Sequence, residues 1–146
     1  MKKIVFMGTP LFAVPILKSI LSKGYNIPLV YTQPPSKSNR GHKVSKSPVH
    51  IFCNENDLKV RTPENFINLD NEKNILEKLE ADIAIVVAYG QILPKGILHV
   101  CKKGFINIHA SLLPKLRGAA PIKRSIMNLD NETGISIMPV SYTHLR

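Results

Sequence analysis

An asparagine and a histidine two residues apart are the side chains of this chain best suited to chemistry. Asn107 and His109 end an apolar, β-favouring run, and a loop containing two prolines and a glycine follows them. Side chains alternate along a strand, so both lie on one face near its C-terminal end. In open α/β sheets that end is where ligands bind. An amide and an imidazole there can together hydrogen-bond one carbonyl oxygen and move one proton.

Each residue alone has an ordinary structural explanation. A lone histidine near a strand end is more often structural than catalytic, and a lone asparagine is common in turns. Their pairing beside a Pro-punctuated loop favours a functional site.

The segment 111–114 is either a tight connection that buries two leucines or, as we favour, the apolar wall of a cofactor pocket. Arg117 is either a solvated charge or an anion contact, and the sequence favours neither.

The elements that must position this pair alternate between strand and helix. The predicted strands are 3–7, 27–32, 59–60, 82–88, 105–108 and 134–138, and the predicted helices are 10–23, 48–55, 71–80, a short one around 97, and 119–127. Thr9 is the expected N-cap of the first helix and Gly24 its stop. Such alternation implies βαβ units with right-handed crossovers. We therefore predict an α/β fold with a Rossmann-like doubly wound, mainly parallel sheet.

Length and charge suggest one domain with an anionic partner. The chain has 146 residues, enough for one domain with a buried core, and its net charge is +10. Nucleic acid is the usual partner of such a chain, although a generally basic surface without a dedicated partner is the alternative. The basic segment, residues 33–47, is predicted to be a long loop without strands or helices, either a charged excursion or an RNA-contacting arm. Its cationic or titratable side chains are Lys37, Arg40, His42, Lys43 and Lys46.

Several classes of function are not expected. Cys53 and Cys101 are far apart, which is typical of reduced thiols in a cytoplasmic protein, and no Cys/His spacing suggests a metal site. The first turn, GTP at 8–10, lacks the GxGxxG motif, so we expect no NAD. No apolar stretch is long enough to cross a bilayer, so we expect no membrane partner.

Five motifs, in order, resemble those of the folate-dependent formyltransferases. They are GTP at 8–10 with FAVP at 12–15, then TQPP at 32–35 with RG at 40–41 and SPV at 47–49, then VVAYGQILP at 86–94, NIHASLLP at 107–114 and RGAAP at 117–121. Any one of them alone is a weak signal, but their order along nearly the whole chain is specific.

The resemblance implies transfer of a formyl group from 10-formyltetrahydrofolate to an amine. Within the family the similarity is greatest to members that act on initiator methionyl-tRNA, so this folate and this tRNA are the expected partners. It also implies roles for individual residues. These are Asn107 and His109 as the catalytic pair, Ser111, Leu112, Leu113 and Pro114 as folate-binding residues, and Arg40 and Lys43 as RNA-binding residues. The alternatives are transfer to glycinamide ribonucleotide or to an amino sugar nucleotide, or a non-catalytic folate- or RNA-binding fragment.

The resemblance ceases after Val140. We therefore expect residues 1–140 to be an N-terminal catalytic domain, residues 141–146 to be an unmatched, non-native tail, and the family's C-terminal tRNA-binding domain to be absent. Leu145 stands where the family carries a catalytic aspartate. We expect this chain to be inactive by itself, and the full-length form to be a monomer.

Overall fold

A six-stranded sheet with helices on both faces forms the molecule in the computed structural model, which describes residues 1–37, 43–66 and 68–141. The strands are β1 (Lys3–Gly8), β2 (Asn26–Tyr31), β3 (Ser36–Lys37), β4 (Val44–Ser45), β5 (Val60–Arg61), β6 (Ile83–Val87), β7 (Phe105–His109) and β8 (Ser136–Pro139). The helices are α1 (Ala13–Ser22), α2 (Pro48–Glu55), α3 (Leu69–Leu79) and α4 (Pro121–Met127), with a 3₁₀ helix at Lys95–Ile97. None of the described helices has the length and apolarity needed to cross a membrane.

The large sheet has the order β5-β2-β1-β6-β7-β8. All neighbouring strands are parallel except β8, which runs antiparallel to β7. This confirms the predicted α/β fold with a mainly parallel, doubly wound sheet. The chain winds from β1 outward to β5 and then returns to β6 on the other side of β1. The boundary between β1 and β6 is therefore the topological switch point, beside which ligands bind in such folds.

The apolar run of β1 is buried because both faces of the sheet are covered. Ile4 and Phe6 pack in the core beneath α1 and α2, whereas Val5 and Met7 pack in the core beneath α3. Successive side chains of a strand point to opposite faces, so a continuous apolar run fills both cores.

The helix starts show one correct prediction and one that was wrong. Helix α2 begins at Pro48 as predicted, and the Ser47 hydroxyl accepts a hydrogen bond from the His50 backbone N–H at 3.0 Å. Helix α1 begins only at Ala13 and not at residue 10. Thr9 is not its N-cap, because the Thr9 hydroxyl donates to the distant Tyr89 carbonyl instead.

The basic segment was predicted to lack strands, and this is wrong for its described part. β3 and β4 form an antiparallel pair in which Lys37 lies opposite Val44. The hydroxyl of Thr32, which directly precedes the segment, lies 2.6 Å from that of Ser47, its last residue, and this contact brings the two ends of the segment together. Residues 38–42, including the predicted RNA-binding residue Arg40, lie outside the described residues.

A polar network is buried under α3. The Glu72 carboxylate is 5% exposed and accepts a hydrogen bond from the Tyr31 hydroxyl at 2.8 Å. It also accepts two from the Arg61 guanidinium, at 2.6 and 3.1 Å. Burial and this carboxylate raise the pKa of Tyr31 above its usual range. The network joins β2, β5 and α3.

Candidate active site

A largely apolar cavity of about 1050 Å³ lies beyond the carboxyl ends of β1, β6 and β7. Pro10 follows β1 and lines it, as do Tyr89 and Gly90 after β6. Asn107 and His109 line it from β7. The position matches the switch point of the sheet, and the volume is sufficient for an organic molecule of cofactor size.

The structure brings Asn107 and His109 together on one wall, as their spacing predicts. Both residues are partly buried and line the same cavity. The backbone of β7 is held on both sides, because Asn107 pairs with Val86 of β6 and with Met138 of β8. The pair is therefore carried by a paired strand rather than by a free loop.

A hydrogen bond determines which nitrogen of His109 is free. The His109 Nε2 lies 2.8 Å from the Leu116 carbonyl oxygen. A carbonyl can only accept, so Nε2 carries the hydrogen and donates it. In the neutral ring Nδ1 is then the nitrogen with a lone pair, and it can accept a proton. Leu145, at the expected aspartate position, lies outside the described residues.

The loop after β7 is held by hydroxyl groups. The Ser111 hydroxyl donates to the Lys115 carbonyl at 2.7 Å. The Ser136 hydroxyl on β8 donates to the Ser111 carbonyl at 2.7 Å and accepts from the Leu113 N–H at 3.0 Å. Sequence reasoning missed Ser136, because its partners lie more than twenty residues away along the chain.

The four predicted folate-binding residues are placed differently. Leu113 and Pro114 line the cavity, and a cis peptide bond joins them. Ser111 is 1% exposed and lies behind the wall, while Leu112 is 46% exposed and packs beside Gly134. Neither Ser111 nor Leu112 lines the cavity.

Several wall residues were not predicted as site residues from the sequence. They are apolar side chains that any core could contain, namely Phe12, Val86, Leu93, Met138 and Val140. No local pattern separates a pocket wall from a core. Arg117 also lines the cavity and is exposed, which places its charge at the rim.

The predicted RNA-binding residue Lys43 is exposed and directly precedes β4. It belongs to the basic segment, whose first residue, Gln33, contacts the Tyr89 carbonyl of the cavity. Within the described residues, no group of three His, Cys, Asp or Glu side chains could hold a metal ion.

Comparison with known proteins gives a consistent result. The family model described as formyl transferase matches residues 1–143. The chain is 63% identical over 139 residues to a methionyl-tRNA formyltransferase of Pelagibacter ubique, covering 95% of this chain and 45% of that protein. It is 50% identical over 136 residues to the enzyme of the same name from Paramagnetospirillum magneticum, covering 93% and 44%. The chain thus spans less than half the length of these relatives.

Solved structures share the fold. A phosphoribosylglycinamide formyltransferase from Bacillus halodurans superimposes with a TM-score of 0.71 at 18% identity, covering 96% of this chain and 72% of that one. A formyltetrahydrofolate deformylase from Pseudomonas syringae gives 0.62 at 18% identity, covering 97% and 52%.

Proposed function

Because the chain belongs to the formyl transferase family, we propose that it is the N-terminal catalytic domain of an enzyme that formylates methionyl-tRNA. The donor is 10-formyltetrahydrofolate, bound in the cavity. The observation that carries this proposal is the placement of Asn107 and His109 side by side on the cavity wall at the switch point. The relatives named as methionyl-tRNA formyltransferases support the choice of acceptor.

The two side chains have complementary roles in this reaction. Attack of the acceptor amine on the formyl carbon forms a C–N bond and places negative charge on the former carbonyl oxygen. The Asn107 amide N–H donates a hydrogen bond to that oxygen. The amine nitrogen becomes positively charged as it attacks, and His109 Nδ1 accepts a proton from it, because Nε2 is already bonded to the Leu116 carbonyl. The bond between the formyl carbon and N10 of the folate then breaks, and N10 takes up the proton.

The folate has an apolar wall to pack against. Leu113 and Pro114 supply it directly. Ser111 acts through its hydrogen bond to Lys115, which holds the loop in place. We keep Leu112 as a predicted folate-binding residue.

The tRNA is held by positive charge. The net charge of +10 favours a polyanion, and Arg40 and Lys43 of the basic segment are the proposed phosphate contacts. Initiator methionyl-tRNA is the proposed partner.

Calorimetric titration with tetrahydrofolate tests the proposed cavity. We expect saturable heat for the parent chain. Leu113→Arg, which places a charge on the cavity wall, should abolish it. Leu129→Arg is the matched control, because this side chain is 85% exposed and does not line the cavity, and it should bind as the parent does. Absence of heat from a folded parent chain contradicts the proposal.

Formyl transfer is expected to be negligible for the chain itself, because Leu145 stands at the expected aspartate position. Loss of such an orienting carboxylate costs about 10⁴-fold in kcat in a Ser-His-Asp triad. A hybrid that takes its sequence from residue 141 onward from the Pelagibacter ubique relative should be active. In that hybrid, Asn107→Ala should lower kcat about 10²–10³-fold. A His109→Ala hybrid with full activity would exclude the proposed base.

Binding of tRNA is tested by its salt dependence. Arg40→Ala and Lys43→Ala should each weaken binding and reduce the slope of log K against log salt by about one unit. Lys18→Ala, on the exposed surface of α1, is the control and should leave the slope unchanged. Equal slopes in all the variants would place the RNA contact elsewhere.

A further inference from the structure

The Thr9 hydroxyl joins three segments that are far apart along the chain. Thr9 follows β1, Gln33 lies two residues beyond β2, and Tyr89 lies two residues beyond β6. The Thr9 hydroxyl donates to the Tyr89 carbonyl at 2.8 Å and accepts from the Gln33 backbone N–H at 3.3 Å. The Gln33 side-chain amide donates to the same carbonyl at 3.2 Å. One carbonyl oxygen thus receives two donors, one for each of its lone pairs.

The turn that carries this carbonyl is strained. Ala88 has φ +47° and Gly90 has φ +83°. An alanine in the left-handed region is unfavourable and persists where surrounding contacts determine the conformation. Gly90 also lacks a Cβ, and the Gln33 side-chain amide occupies the space that a Cβ would need. The turn and the Gln33 side chain are therefore fitted to each other.

The same contacts lie between the two proposed binding surfaces. Tyr89 and Gly90 line the cavity. Gln33 begins the basic segment, and the hydroxyls of Thr32 and Ser47 close the base of that segment. Both ends of the basic segment are consequently anchored, and one of them is bonded to the cavity wall.

The structure assigns Thr9 and Gln33 a positioning role, which rests on the proposed function. They hold the base of the basic segment at a fixed place beside the cavity, so that the amine of a bound RNA meets the formyl carbon. Neither side chain lines the cavity itself. The hydrogen bonds of Thr9 and Gln33 join the cavity turn at Tyr89 to the basic segment. A ligand that orders one of these two parts therefore reduces the free-energy cost of ordering the other. Folate and tRNA should therefore bind cooperatively, and this coupling should depend on the Thr9 hydroxyl and the Gln33 amide.

The test measures binding of tetrahydrofolate and of uncharged initiator tRNA, each alone and in the presence of the other. In the parent chain each ligand should strengthen the other by about fivefold or more. Thr9→Val and Gln33→Met remove the donors with little change in volume and should bring this factor close to one. Thr9→Ser keeps the hydroxyl and should restore the coupling. Thr133→Val, at an exposed position, is the matched control and should behave as the parent does.

Hydrogen exchange provides a readout that needs no ligand. Thr9→Val should speed amide exchange in residues 88–91 and in the described ends of the basic segment by roughly tenfold, whereas Thr9→Ser should not. Parent-like coupling in Thr9→Val and Gln33→Met, or independent binding of the two ligands to the parent, would overturn the positioning role alone. A folded parent that binds no folate would instead overturn the proposed function, and the positioning role with it.

Discussion

The centre of the sheet and the segment from residue 111 to 141 bury their apolar side chains to very different extents. In β1, Val5 and Met7 are 0% exposed. In the later segment, Ile126 is 70%, Leu129 85% and Ile137 69% exposed. The centre is covered by helices on both faces, whereas β8 is an edge strand and α4 leaves its large apolar residues in solvent.

The candidate site lies on the boundary between these two regions. Val86 and Tyr89 line the cavity from the covered region, while Leu113 and Met138 line it from the less covered one. Strand β7, which carries the proposed catalytic pair, is paired with β6, so the centre of the sheet determines where Asn107 lies. The loop that follows β7 is held instead by a few hydrogen bonds of the Ser111 and Ser136 hydroxyls. The comparison shows that the core places the proposed catalytic pair, whereas a few hydrogen bonds hold the loop beside it.

The largest expected effect tests whether apolar side chains near the centre of the sheet are more deeply buried than those of residues 111–141. Leu17→Ala should lower the free energy of unfolding by about 3 kcal/mol, because the side chain is 0% exposed in α1. Leu129→Ala makes the same chemical change at a side chain that is 85% exposed and should cost less than about 0.5 kcal/mol. Urea unfolding of both variants measures this. Similar losses in the two variants would contradict the comparison.

The next largest effect concerns polar contacts of the covered region. Glu72→Ala should cost about 2 kcal/mol, because the buried Tyr31 hydroxyl and the Arg61 guanidinium lose their acceptor. Glu77→Ala removes a carboxylate from the same helix, where it lies 3.7 Å from Lys73 and both side chains are about half exposed. It should cost less than about 0.5 kcal/mol. Thermal unfolding of the two variants distinguishes the buried network from the surface pair.

Burial of the two thiols should make the free energy of unfolding depend on pH. Burial raises the pKa of the Cys53 thiol to about 12 and that of Cys101 to about 11. An unfolded thiol ionises near pH 8.5–9, so above that pH the unfolded state binds fewer protons than the folded state. The free energy of unfolding should therefore fall as pH rises from about 9 towards 11. Cys53→Ala should make this decline shallower, and an unchanged slope would mean that Cys53 is not buried in solution.

The smallest effect on stability is expected for exposed apolar side chains at the C-terminal end of α4 and just beyond it. Ile126→Lys and Leu129→Lys should change the free energy of unfolding by no more than about 0.5 kcal/mol, because both side chains are already in solvent. They should reduce binding of a hydrophobic dye and improve recovery of monodisperse protein, since they interrupt an exposed apolar face. Dye fluorescence and light scattering measure this. Unfolding of these variants would show that the face is packed in solution.

Much of the fold and part of the site could be predicted because the signals are local. Period-2 alternation placed Asn107 and His109 on one face, and the structure puts both on one cavity wall. The helix predicted over 48–55 is observed as α2, Pro48–Glu55. Gly24, predicted to end α1, has φ +78° and donates its N–H to the Leu21 carbonyl at 3.0 Å.

Other features depend on contacts between residues that are distant along the chain, and the sequence could not show them. The Thr9 hydroxyl binds the carbonyl of a residue eighty positions away instead of capping α1. The loop after β7 is hydrogen-bonded at Ser111 and Leu113 to Ser136, on the antiparallel strand β8. Periodicity indicates the face of an element on which a residue lies, because that follows from backbone geometry alone. It does not indicate which element comes to cover that face, because this depends on how the whole chain packs.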